Sequence, residues 1–141
     1  MRERSARRIP VTLQIIRSVT DQILAEAARA SPRECCGILL GDGETVHALG
    51  SARNVHPAPE MHFEIDPRAL IDAHRAARAG GPQVVGYYHS HPSGPAEPSP
   101  TDQAMAARDG RVWAIAGEGE VRFWRDDEAG FEPLSLRVID R

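Results

Sequence analysis

The stretch from His89 to Asp102, HSHPSGPAEPSPTD, restricts what this chain can fold into more than any other part of it. An extended backbone alternates its side chains, so His89 and His91 point to one face and Ser90 to the other. Val84–His89, apolar and aromatic, reads as a strand leading into that pair. Ser99-Pro100-Thr101-Asp102 then opens a helix, with serine as the cap and proline at the first position. Asp102 falls in the first helical turn, where the helix dipole favours an anion. Pro92, Pro95, Pro98 and Pro100 stiffen the connection and reduce the entropy it loses on folding. The connection can double back, so that the helix N-terminus brings its carboxylate to the imidazoles at the strand end. Two imidazoles and one carboxylate suffice to hold a zinc ion and leave its fourth position open, which separates a catalytic metal site from a structural one.

The remainder of the chain supports one domain around this point. At 141 residues it is long enough to bury a core without disulfides. Hydrophobic residues at 41% and charged residues at 26% are ordinary for a soluble globular domain. Residues 1–9, with Arg2, Arg4, Arg7 and Arg8, read as a basic flexible tail, and residues 10–141 as the domain. No apolar segment follows these arginines, so they are not a secretory signal. No apolar run approaches the ~18 residues of a membrane span. A net charge of -3 and the lack of a basic stripe argue against nucleic-acid and membrane partners. Cys35 and Cys36 are neighbours, without the spacing of a zinc knuckle or a disulfide framework. They read as small apolar residues entering a buried strand, in a reducing cytoplasm.

Periodicity gives a coarse order of elements. Val11–Ile16 alternates as a strand, and Ser18 to Ala30 is an amphipathic helix with Val19, Ile23, Ala27 and Ala30 on one side. Cys35–Leu40 is a continuous apolar run suited to a buried strand, and Thr45–Leu49 returns as its hairpin partner across Gly41-Asp42-Gly43. Asn54 to Glu60 is a loop, and Phe63–Ile65 a brief strand. Asp66 caps a helix with Pro67 at its first position, running to about Arg78 and ended by Gly80-Gly81-Pro82. The helix opened at Ser99 continues to about Arg108. Val112–Ala116 and Val121–Trp124 form a hairpin across Gly117–Gly119, and Leu134–Val138 is the last strand. Strands on both sides of two or three helices give an α/β sandwich around one mixed sheet.

Hydrolysis at such a metal needs two further groups. One is an acid/base that moves the proton of the attacking water to the leaving group without ligating the metal. Glu34 fits, because a carboxylate at the mouth of a buried strand has little structural reason to be there. The other is a donor to the oxygen that becomes negative in the tetrahedral intermediate, a role that suits Ser99. Each residue also has a plainer use. Ser99-x-x-Asp102 is a capping box, histidines at i and i+2 are usually surface residues, and a lone glutamate is usually a solvated charge. His47, His56, His62 and His74 have no paired spacing and read as surface or packing residues. Tyr87, Tyr88, Trp113 and Trp124 read as packing, while Asn54 and His56 are placed to line a cleft.

The pattern H-S-H-P, six residues, S, two residues, D, with an upstream glutamate in ECCGILLG, resembles the JAMM (MPN+) metalloprotease family. More narrowly it is similar to that family's short, single-domain bacterial and archaeal members. The likeness runs from about Ile23 to Trp124 and includes NVHPAPEMHFEIDP and VVGYYHSHPSGPAEPSPTD. The resemblance implies a cytidine-deaminase-like α–β sandwich with a mixed central sheet, the JAB1/MPN fold. It implies Zn2+ held by His89, His91 and Asp102, with Glu34 as general acid/base and Ser99 stabilising the oxyanion. It also implies cleavage after the C-terminal glycine of a ubiquitin-like or sulfur-carrier protein with a Gly-Gly tail. The chain has no room for the substrate-gripping insertions of larger deubiquitinating members, which favours a small prokaryotic partner. A flexible glycine thread has little enough bulk to reach a recessed metal, through a groove beside His89–Pro92 that binds it by strand addition.

Three other readings use the same residues. A non-catalytic scaffold of this fold would have lost a ligand or Glu34, and the chain retains both. An iron(II) oxygenase also uses two histidines and one carboxylate, but more often with the carboxylate between the histidines, and it needs neither Ser99 nor Glu34. A DNA-repair-associated relative with a similar His-x-His-Pro motif is disfavoured by the acidic balance.

Overall fold

The computed structural model describes residues 12–140. The expected tail at residues 1–9 and the start of the first strand at Val11 lie outside them. The elements run β1 (Thr12–Ile16), α1 (Arg17–Ala30), β2 (Cys36–Asp42), β3 (Thr45–Ala52), α2 (Pro67–Arg78), β4 (Gln83–Ser90), α3 (Pro100–Met105), β5 (Val112–Gly117), β6 (Glu120–Asp127), β7 (Gly130–Pro133) and β8 (Ser135–Ile139). All eight strands join one mixed sheet in the order β7-β6-β5-β4-β2-β3-β1-β8. β4 is parallel to β5 and antiparallel to β2, so it is held on both edges near the middle of the sheet.

The alternation within the strands sorts the sheet into two faces. Leu13 and Ile15 of β1, Leu39 of β2, Tyr88 of β4 and Phe123 of β6 are buried together with Val19 and Ile23 of α1. Each aliphatic side chain buried in this way stabilises the fold by roughly 1.5–3 kcal/mol. Tyr88 is fully buried, and its hydroxyl donates to Glu26 of α1 at 2.8 Å. Gly37 leaves room for that ring, because a Cβ there would sit 2.5 Å from it. Successive β4 residues therefore divide the work: Tyr88 locks the helix-covered face, and Tyr87 and His89 project to the other.

On that second face α2 begins as expected, with the Asp66 carboxylate accepting from Arg68 N at 3.0 Å and Pro67 at the first position. Four local expectations are corrected. Phe63–Ile65 is not a strand: its only ladder contact is an isolated bridge between Asn54 and Ile65. α3 ends at Met105 rather than near Arg108. Arg108 has a φ of 55°, outside helical space, and its N–H is taken by the buried Asp126 carboxylate at 3.0 Å. The β2–β3 turn is centred on Gly43 and Glu44, so Gly41 and Asp42 belong to β2. β7 is an additional short edge strand, antiparallel to β6.

Candidate metal centre

The last turn of β4 delivers the two histidines. His89 is 1% exposed. His91, one residue beyond the strand, is held by its N–H on Ala116 O at 2.7 Å. Ser90 between them faces the other way and accepts from Cys35 N at 2.8 Å, which fastens the entrance of β2 to β4. The His91 ring is oriented by Nδ1, which donates to Pro95 O at 2.8 Å. With the proton on Nδ1, the Nε2 lone pair of a neutral ring is free to ligate. The proline-rich loop therefore fixes the orientation of the His91 ring as well as the path of the chain.

Asp102 arrives from the other side on the first turn of α3. Ser99 N donates to Asp102 Oδ2 at 2.9 Å, and Asp102 N donates to Ser99 Oγ at 3.1 Å, a reciprocal capping box. The capping use and the metal-facing use of these residues coexist. His89 Nε2, His91 Nε2 and Asp102 Oδ2 lie 3.2 Å from one another on all three sides. Zinc bonds of roughly 2.0–2.1 Å in a tetrahedron imply donor-to-donor edges of roughly 3.3 Å. The three atoms thus form one face of a tetrahedron of the right size, with a donor set of two nitrogens and one oxygen that suits zinc. They are the sole such cluster among the described residues.

Electrostatics agree with that arrangement. Burial alone would raise the Asp102 carboxyl, but the facing His89 and His91 rings outweigh it and hold it well below the usual range. Burial lowers His89, keeping it in the neutral form that ligates. Burial also acts to lower His91, but its bonds to Asp102 and Pro95 reverse the sign. Glu34 behaves differently. It is 8% exposed, and burial pushes its carboxyl up to about 7, with His91 opposing and Asp102 reinforcing the shift.

Glu34, Ser99, His91 and Asp102 all line one cleft of about 930 Å3. Tyr87, Trp113 and Phe63 supply its apolar wall, with the exposed Met61 and Met105 also lining it. The structure brings together all five residues singled out by sequence, with the buried His89 behind His91. It differs in what surrounds them. Phe63 stacks on His89 with centroids 4.2 Å apart, a support that the sequence did not reveal. His56 and His62, read as surface or packing residues apart from a possible place for His56 in a cleft, both line the site. Asn54 sits behind the wall, not on it. Trp113 is buried as expected, but against the His89 ring and the cleft rather than in the α1-side core. The expected groove passes His91 and Pro92, yet β4 offers no free edge beside it for strand addition, because β2 and β5 occupy both.

Comparison with known proteins adds sequence and fold relatives. A family model described as prokaryotic homologues of the JAB domain matches residues 17–127, a span containing all five site residues. A desampylase of Haloferax volcanii is 34% identical over 135 residues, covering 89% of this chain and 96% of its own length. A probable TtuB-protein conjugate cleaving protease of Thermus thermophilus is 36% identical over 92 residues, covering 65% of this chain and 62% of that one. A solution structure from Desulfitobacterium hafniense superposes with a TM-score of 0.80 at 27% identity, covering 92% of this chain and 94% of its own.

Proposed function

This chain belongs to the prokaryotic JAB (JAMM/MPN+) family, and from that membership we propose that it is a zinc-dependent peptidase or isopeptidase. Its substrate is the bond after the C-terminal glycine of a ubiquitin-like or sulfur-carrier protein. The names of the Haloferax and Thermus relatives support that substrate class. The observation that carries the reading is the 3.2 Å triangle of His89, His91 and Asp102 in a cleft shared with a buried carboxyl group.

His89, His91 and Asp102 would hold the zinc. A zinc ion there would supply a water whose pKa is lowered to about 7 and would polarise the scissile carbonyl. Glu34 takes the proton of the attacking water and returns it to the leaving nitrogen. A carboxyl near 7 suits both directions of transfer, because it is neither a strong acid nor an inert one at neutral pH. Ser99 Oγ accepts from Asp102 N, which leaves its own proton free to donate to the developing oxyanion. Phe63 and Trp113 pack edge-to-face, with centroids 6.3 Å apart, and form one apolar wall of the cleft against which an extended glycine thread would lie. Two buried free thiols, Cys35 and Cys36, support a reducing, cytoplasmic setting. No helix among the described residues is long and apolar enough to cross a membrane.

The test is cleavage of a small β-grasp protein ending in Gly-Gly and fused through that glycine to a reporter. Zinc-loaded wild type should cut the fusion, chelator should stop it, and Glu34→Gln should keep the zinc but lose the cleavage. Wild-type rates from Glu34→Gln would remove Glu34 from the mechanism.

A further inference from the structure

Glu34 precedes β2, whose ladder begins at Cys36, so no strand partner satisfies its main chain. A single loop does so instead. Glu34 N donates to Pro59 O at 2.8 Å, and Glu34 O accepts from Asn54 Nδ2 at 3.0 Å. The same Asn54 amide holds the loop that supplies these contacts. Nδ2 also donates to His62 O at 3.0 Å, with a longer contact to Pro59 O at 3.4 Å. Oδ1 accepts from His56 N at 3.1 Å and from Glu64 N at 3.0 Å. A side-chain amide has two N–H groups and two oxygen lone pairs, and here every one is used.

The loop so fixed is also the cleft wall. It carries His62, and it carries Phe63, which lies flat on His89. One half-buried amide therefore joins the main chain of the acid/base residue to the ring that supports a ligand. We propose that Asn54 is a positioning residue: it holds Glu34 and the Phe63-bearing wall as one unit, and so keeps the carboxyl in register with the ligand triangle. This rests on the hydrolase reading above. The competing possibility is a brace that contributes stability alone.

Asn54→Asp separates the two. It is nearly isosteric and keeps the acceptors for His56 N and Glu64 N, but it removes the donors to Glu34 O and His62 O. In the zinc-loaded full chain the expected result is unchanged zinc content and a kcat lowered roughly 100-fold, as for a misplaced reacting group. KM should rise by a smaller factor than kcat falls, because the cleft side chains themselves are unchanged. Amide hydrogen exchange at Glu34 should quicken while exchange in the middle of β2 stays the same. A lower Tm with kcat and Glu34 exchange at wild-type values would overturn the proposal and leave a brace. Asn54→Ser, which keeps a smaller polar group, takes the same readouts if Asn54→Asp does not fold. Should wild type itself fail to cut the Gly-Gly fusion, the hydrolase reading falls on its own. The anchoring of Glu34 by Asn54 is then decided by exchange: unchanged protection in the variant overturns it.

Discussion

Phe63 lies almost parallel to the His89 imidazole, with ring centroids 4.2 Å apart and planes 17° from parallel. His89 thus has an aromatic ring on one face and the edge of Trp113 beside it at 5.7 Å. Ring orientation is set by packing, and the direction of the Nε2 lone pair follows from it. Phe63→Ala should weaken zinc binding roughly 10-fold, the lower end of what is lost when support behind a ligand is removed. Phe63→Leu should recover part of the loss. Competition against a chromogenic chelator measures both; equal affinity in all three proteins would show that the stack does not orient the ligand.

Asp102 serves as the N3 acceptor of the capping box and as the oxygen of the triangle, and two substitutions divide these uses. Asp102→Asn can still accept from Ser99 N, so the helix start should keep its stability while zinc binding falls steeply. Asp102→Ala should lose the zinc as well, and cost the metal-free fold about 1 kcal/mol through the lost hydrogen bond from Ser99 N. Metal analysis together with urea unfolding of the chelated proteins gives the comparison. Stoichiometric zinc in either variant would take Asp102 out of the ligand set.

Ser99 can be tested in the same spirit. Glycine is a tolerable N-cap, so Ser99→Gly should change the stability of the fold by only a few tenths of a kcal/mol. Loss of an oxyanion donor typically lowers kcat by roughly 100-fold or more. A large fall in kcat at nearly constant Tm is therefore expected, and a kcat near wild type would confine Ser99 to capping.

The Glu34 carboxyl titrates at about 7 in the folded, metal-free chain, against an ordinary value of 4.5. Between those values the folded state keeps a proton that the unfolded state has released. Stability is therefore lost as pH rises from 4.5 to 7, the loss is complete above 7, and it vanishes below 4.5 where both states are protonated. Glu34→Gln removes the penalty. The chelated variant should be more stable than wild type at about pH 8, by about 1–3 kcal/mol, and no more stable at about pH 4. Urea titrations at the two pH values check the sign; a variant that gains nothing at the higher pH would contradict the burial of a charge at this position.

The strand–loop–helix around the two histidines was legible because its signals are local. Alternation put His89 and His91 on one side, and Ser99-Pro100 marked the helix start beside Asp102. Local pattern failed where a distant side chain captures the backbone. Phe63–Ile65 alternates like a strand, but the N–H of Glu64 and the carbonyl of His62 are taken by Asn54, so no ladder forms there. α3 stops short because Asp126, from β6, takes the Arg108 N–H. β7 escaped notice because GFEP is too short and too polar to show a period. The Phe63–His89 stack was hidden for the related reason that it joins residues far apart in sequence, and a contact of that kind leaves no trace in spacing.

β4 has neighbours on both edges, and His89 sits near its end with Tyr88 anchored beneath the sheet. The backbone that carries that imidazole is thus held by hydrogen bonds on both sides. Stripping the ion with a chelator should accordingly leave a receptacle of unaltered shape, ready for refilling without any refolding step, and open to substitution by other small divalent ions of similar radius.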